Sequence, residues 1–508
     1  MKYFKFVLVS ALTYILLYSI TYFGYLYSDR QDFIGNVFST VNKINSKVRI
    51  YIDIDKLFYI NPRFIFPIKS DFLIDFSIKD RIYNDSVVKS VLNQGELFLD
   101  KDKKWRKTDI IINNRKIAAK YKFHGSSLYP YSRKHFSFSI KTNYKIRNIN
   151  RFKLVNGIEM SYVNIFLNSL ARENDLISED PGEIVIVSVN GEKRDYFMYE
   201  NFDEEYVNKN FELSNSLVVR NNTFIDKSRS WHESELDSVP INIDLEYISR
   251  DRFEIWKNLQ HLKFEKIDFD KGYLGNFFSL LYLFGNPHQI LGNNDKWIIN
   301  NNRLIPVYRN EGAIRALDTE SQNFNNSMFS NNNYESDTYI KYKKLLTDKV
   351  ILQKRNLSLF KLLQNKEKIL RKFDSIFLSN KEKHRMYNVD YFRLKIEYRK
   401  FKKIIEGNFN VIDKYLNYGH VMVSKKDSLL TIYSTRNNDL ELIFEDKQLD
   451  IKSKEIQIID NKLEPKLIIN KVKIDPKRIR RGNFYFIDKV TRDTLKLNNE
   501  KFDLIEIL

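Results

Sequence analysis

The hydrophobic pattern divides the chain before any single residue does. Residues 47–109 carry alternating or short apolar runs such as VRIYIDI and FLIDFSI, broken by Pro62 and Pro67, and predict a small β-rich lead-in within residues 31–112. The segments KIAAKYKFHG (116–125) and KHFSFSIKT (134–142) are two alternating strands joined by SSLYPYSR. In the second, His135, Ser137, Ser139 and Lys141 share one face while Phe136, Phe138 and Ile140 share the other, as a half-buried sheet requires. That polar face is available for chemistry.

Helical stripes follow. Val163, Phe166, Leu167, Leu170 and Ala171 recur at i, i+3, i+4, i+7 and i+8, the spacing of one buried helix face. A hairpin comes next, because Asn190-Gly191 between apolar runs supplies the two positive-φ positions of a tight turn. Leu274, Phe277, Phe278, Leu281 and Leu283 predict a second buried helix, ended by Gly285 and Pro287. Residues 339–406 read as mostly helical. From Asn408 the period falls to two, and LLTIYST, LELIFED, IQIID, LIINKVKI and FYFID predict a separate C-terminal β-sandwich over 408–508.

One run is neither a stripe nor an alternation. Residues 6–27 extend for 22 residues without a charge, enough to cross a hydrocarbon core of ~30 Å at a rise of ~1.5 Å per residue. Lys2 and Lys5 precede it and aromatic residues crowd its far end, so a single-pass anchor over 1–30 is expected, with the N-terminus cytoplasmic and the bulk extracytoplasmic. A cleaved signal peptide is the alternative, against which stand the length and the lack of a small-x-small site.

Composition narrows the chemistry. The 508 residues are 43% hydrophobic and include no cysteine, which excludes a disulfide framework, a thiol nucleophile and Cys-ligated zinc. The net charge of +19 suits an anionic partner, yet the cations are scattered through a chain rich in Lys, Asn, Ile and Tyr, as an A- and T-biased genome would give. Charge alone therefore names no partner. The seven histidines show no i, i+4 pair for a zinc hydrolase, and no G-x-S-x-G or phosphate-binding glycine loop occurs. The basic, aromatic-rich stretch 392–407 is more simply an amphipathic helix than a nucleic-acid binder, and an outward-facing anchor also argues against nucleic acid.

Several segments in order, HG…KHFSFSIK, FKLVNGIEMSYVNIFLNSLARENDLIS, VIVSVNGEKRDYFMYENFDEEYV and HQILGNNDKWIINNNRLIPV, resemble the spore coat protein H (CotH) kinase family, above all members associated with bacterial surface-polysaccharide genes. The likeness covers roughly residues 116–312. It implies an α+β chain: an atypical protein-kinase-like core at 113–406 between the anchor with its lead-in and the β-sandwich-like domain. It also implies ATP with Mg²⁺ or Mn²⁺ as cofactors, and phosphoryl transfer to a protein or glycan substrate at the cell envelope. On that reading Lys134 or Lys141 meets the phosphates, either being equally readable as a solvated edge-strand lysine. Glu200 pairs with such a lysine, or is an ordinary helix-start carboxylate.

The departures bear on activity. Asp195 stands where most members have glycine, and the nearest acid after Pro306 is Glu311, displaced from the usual metal-binding Asp. In place of an Asp base ahead of Asn294 the chain offers His288, six residues before it, or Asp295, just after it. Pairing of the strands KWIIN and LIPVY predicts that His288, Asn294 and Glu311 converge on one polar pocket facing Lys141, with His288 assisting the attacking hydroxyl and Asn294 and Glu311 ligating a hard cation. The alternative is a catalytically inactive scaffold or binding module that keeps the same fold.

Overall fold

The alternating segments close on themselves. The computed structural model describes residues 73–76, 104–112, 114–124, 137–156, 161–189, 191–214, 216–220, 269–286, 296–300, 303–309, 314–318, 321–329, 337–387, 391–426, 428–444, 447–459, 462–473, 484–495 and 505–507. Strands β1 (Leu73–Phe76), β2 (Arg106–Ile112), β3 (Arg115–His124), β4 (Ser137–Ile146), β5 (Ile149–Asn156), β6 (Glu183–Val189) and β7 (Glu192–Glu200) form a closed barrel in the order β1-β2-β3-β4-β5-β7-β6. Its one parallel contact is β1 with β6. Tyr121, Phe123, Phe138, Ile140, Phe152 and Leu154 fill the interior, so their strand neighbours Lys120, Lys122, Ser139, Lys141, Arg151 and Lys153 lie on the outer face. The predicted lead-in supplies β1 and β2 to this barrel, and residue 112 is the end of the β2–β3 hairpin, where Ile112 pairs with Arg115.

Helix α1 (Ser161–Glu173) carries the predicted stripe, and all five stripe residues are buried. The β6–β7 hairpin turns at Gly191, whose φ of +86° is the backbone state the Asn-Gly pair anticipates. After β7 come α2 (Glu204–Phe211), capped by the Asp203 carboxylate on the Tyr206 amide, and β8 (Leu217–Arg220). Helix α3 (Lys271–Leu283) leads to the hairpin β9 (Lys296–Asn300) and β10 (Arg303–Pro306), and these join β8 in a three-stranded sheet of order β10-β9-β8.

Four helices complete this half: α4 (Asp337–Thr347), α5 (Lys349–Gln364), α6 (Lys366–Tyr387) and α7 (Tyr391–Asn417). They share one apolar core with α1 and α3. Helices α3 and α5 approach so closely that a Cβ on Gly275 would come within 2.5 Å of the Lys354 Cβ. The predicted end of the helical region at 406 is corrected. Helix α7 passes through Gly407, because Ile405, Phe409, Ile412 and Leu416 continue a buried stripe that outweighs one glycine's cost of ~1 kcal/mol.

Strands β11 (Val421–Lys426), β12 (Leu429–Ser434), β17 (Ile469–Lys473) and β20 (Ile505–Ile507) form one sheet, while β13 (Leu440–Phe444), β14 (Lys447–Ile451), β18 (Phe484–Asp488) and β19 (Thr494–Leu495) form another. Val423 and Ile432 of the first meet Leu442 and Phe486 of the second in a common core. A ribbon of β15 (Lys454–Ile459) and β16 (Lys462–Leu467) turns the other way, delivering Ile456 and Leu463 into the helical core. The architecture is thus mixed α+β. No helix among the described residues is long and apolar enough to cross a membrane, and the predicted span at 6–27 lies outside them.

Candidate functional site

The short chain after α1, Leu176 to Asp180, is held from three sides. The Tyr308 amide donates to the Ile177 carbonyl at 2.7 Å, the Tyr206 hydroxyl donates to the Ser178 carbonyl at 3.1 Å, and the Glu200 amide donates to Asp180 Oδ2 at 2.8 Å. Tyr273 ties the same loop to the hairpin, accepting from the Ile177 amide at 3.2 Å and donating to the Pro306 carbonyl at 2.7 Å. Burial pushes the Tyr206, Tyr273 and Tyr308 phenols up, so all three stay neutral.

The loop aims Glu179 at the place where the barrel meets the three-stranded sheet. Its carboxylate is ion-paired with Lys296 of β9, and Arg309 Nε lies 3.2 Å away, just beyond β10. All three side chains are buried. Burial alone would raise the Glu179 pKa, but the charges of Lys296, Arg309 and Lys153 outweigh it and hold the group well below the usual carboxylate range. Lys296 also sits 4.9 Å from the centre of the Phe202 ring, and Lys153 sits 5.2 Å from that of Tyr199. An ammonium and a guanidinium from separate elements thus meet one carboxylate, and the charge of Lys153 adds to their effect on it. A guanidinium fork beside ammoniums is the donor set that recognises phosphate or carboxylate groups.

The sequence-predicted residues distribute differently. Lys141 lies on the outer barrel face with its ammonium 4.4 Å from the Trp105 ring centre. Partial burial and the neighbouring charges of Arg151, Lys122 and Lys120 lower its pKa, and Asp203 opposes them. Glu200 pairs with Lys209 of α2 at 3.0 Å. Its pKa is raised, first by burial, with Asp180 and Asp203 adding to the effect against Lys209. Lys134, His288, Asn294 and Glu311 lie outside the described residues, and with them the predicted pocket.

Sequence reasoning passed over Lys153, Glu179 and Lys296. Lys153 had the signal that singled out Lys141, a cation between two inward aromatic or aliphatic residues, Phe152 and Leu154. Glu179 and Lys296 had none, since their meeting depends on where a loop and a hairpin lie in space. The positions following Pro306, where the family resemblance implies a metal-binding carboxylate, hold Val307, Tyr308 and Arg309. Val307 and Tyr308 are fully buried, Tyr308 edge-on to Phe277, and Arg309 turns to Glu179. Among the described residues no group of three or more His, Asp or Glu side chains could hold a metal ion.

No protein-family model matches the sequence, and no curated protein matches it. A solved structure described as the Shewanella oneidensis MR-1 toxin antitoxin system HipA, HipB and its operator DNA complex is similar at 10% identity and a TM-score of 0.29, covering 69% of this chain and 74% of that one. That likeness is too slight to assign a fold.

Proposed function

We propose that residues 106–417 are a kinase-related module that binds a phosphate-bearing ligand, ATP in the first instance, beside Glu179, and that the protein works as an envelope-anchored scaffold rather than as an efficient phosphotransferase. The observation that carries this reading is the pairing of Lys296 and Arg309 with Glu179 at the junction of loop and hairpin, to which the charge of Lys153 adds. In it Glu179 is an internal counter-ion that preorganises the cations, and an entering phosphate competes for them. The filling of positions 307–309 by Val, Tyr and Arg supports binding over transfer, because those side chains supply no hard anionic oxygen for a metal. The charge-free run at 6–27 supports the anchor.

Isothermal titration of ATP and of inorganic pyrophosphate into the detergent-purified full chain, with and without Mg²⁺, tests the proposal. Binding that falls about tenfold or more in Lys296→Met supports it. Absence of binding to either ligand rejects it. Transfer of the γ-phosphoryl group to a protein or glycan hydroxyl at enzymatic rates would replace the scaffold by the kinase.

A further inference from the structure

Four cations stand in one row across four neighbouring barrel strands. Lys107 on β2 is the direct partner of Lys120 on β3, Lys120 is that of Lys141 on β4, and Lys141 is that of Arg151 on β5. Direct pairing puts all four on the same face, the outer one, and adjacent strands lie about 4.8 Å apart, so the row extends roughly 14 Å. Two residues along, Lys122 adds a fifth charge beside Trp105. Like charges directly opposite one another on a sheet are destabilising. Among the described residues only Asp203 forms an ion pair with this row, reaching Arg151 at 3.8 Å. Lys141 registers the repulsion in its lowered pKa, to which Arg151, Lys122 and Lys120 all contribute after burial. A fold that keeps such a row in register forgoes easy stabilisation, which one acidic substitution would recover.

We propose that this row is a docking track for a linear acidic polysaccharide, a polymer with a carboxylate or phosphate on successive sugars. Each strand offers one cation at a fixed step, which suits a ligand whose charges also repeat along a line. Nucleic acid is the poorer fit. Binders of single strands gain much of their affinity by stacking bases on open aromatic rings. Here the Trp105 ring already carries Lys141 at 4.4 Å and Lys122 at 5.1 Å from its centre. The track is independent of the phosphate-ligand reading of the Glu179 cluster, which uses other side chains.

The test uses the full chain in detergent with polygalacturonate and a single-stranded oligodeoxynucleotide of equal charge. Polygalacturonate is expected to bind with salt-dependent affinity, and Lys120→Glu is expected to weaken it about tenfold or more. The same variant is expected to melt at a higher temperature, because the introduced carboxylate would face Lys107 and Lys141. Lys296→Met leaves polymer binding unchanged if the track is separate from the Glu179 cluster. Unchanged polymer binding in Lys120→Glu overturns the proposal, as does loss of binding in Lys296→Met alone. Tighter binding of the oligonucleotide than of polygalacturonate, or no binding of polygalacturonate, overturns it.

Discussion

Asp195 Oδ2 lies 2.9 Å from His384 Nδ1, with both side chains buried, and this contact fastens strand β7 of the barrel to helix α6. The two residues stand 189 positions apart in the sequence, so only the packing of the barrel against the helices brings them together. Asp195→Ala removes the acceptor and leaves a buried imidazole nitrogen without it, and is expected to cost roughly 2–3 kcal/mol. Urea unfolding measures the loss. A double-mutant cycle with His384→Ala should return a coupling of about 1 kcal/mol or more, and near-perfect additivity would show that the two residues act separately.

Glu179 ties the acid stability of the protein to the candidate site. Its folded-state pKa lies below the unfolded value, since Lys296, Arg309 and Lys153 outweigh the opposing effect of burial. Its contribution is fully present above the unfolded pKa of about 4.3 and is lost progressively as pH falls toward the lowered folded value. Glu179→Gln is expected to cost roughly 3 kcal/mol at neutral pH and to flatten the fall of stability below about pH 4, read from denaturant midpoints across pH.

Lys454, at the start of the β15–β16 ribbon, differs in that its charged form destabilises the fold. Burial, with a smaller push from Arg355, lowers its pKa to about 8. The unfolded chain takes up this proton below about pH 10.4, whereas the folded chain does so only below the lowered value, so stability falls between those limits as pH drops and levels off beneath them. Lys454→Met is therefore expected to stabilise the protein at pH 7 by roughly 1–3 kcal/mol, with no gain above about pH 10.5. Melting temperatures at the two pH values check it.

The C-terminal sheets are joined to the helices through buried polar contacts as well as through the ribbon. Asn356 of α5 donates to the Asn437 carbonyl at 3.2 Å and to Asn438 Oδ1 at 3.0 Å, and Arg436 donates to the Asn417 carbonyl at the end of α7 at 2.8 Å. A chain ending at Asn417 loses these contacts and strips Ile456 and Leu463 from the helical core. It is expected to melt without a sharp transition, or to aggregate on expression. A cooperative melt like that of the full chain would show that the helices stand alone.

What the sequence determined was local. The stripe from Val163 to Ala171 made a helix and the Asn-Gly pair made a hairpin, because both depend on neighbours within one or two turns of chain. The same reasoning found the strand faces, so the outward position of Lys141 and the inward positions of Phe138 and Ile140 were legible. The change of period placed at 408 came too early, because Phe409, Ile412 and Leu416 carry the buried helical stripe on to Asn417. Tertiary structure alone decided that β1 and β2 close the barrel, that Glu200 finds Lys209, and that Glu179 meets Lys296 and Arg309. Those pairings join residues whose separation in sequence carries no period, and they exist because burying a charge requires a partner wherever the packed core happens to bring one.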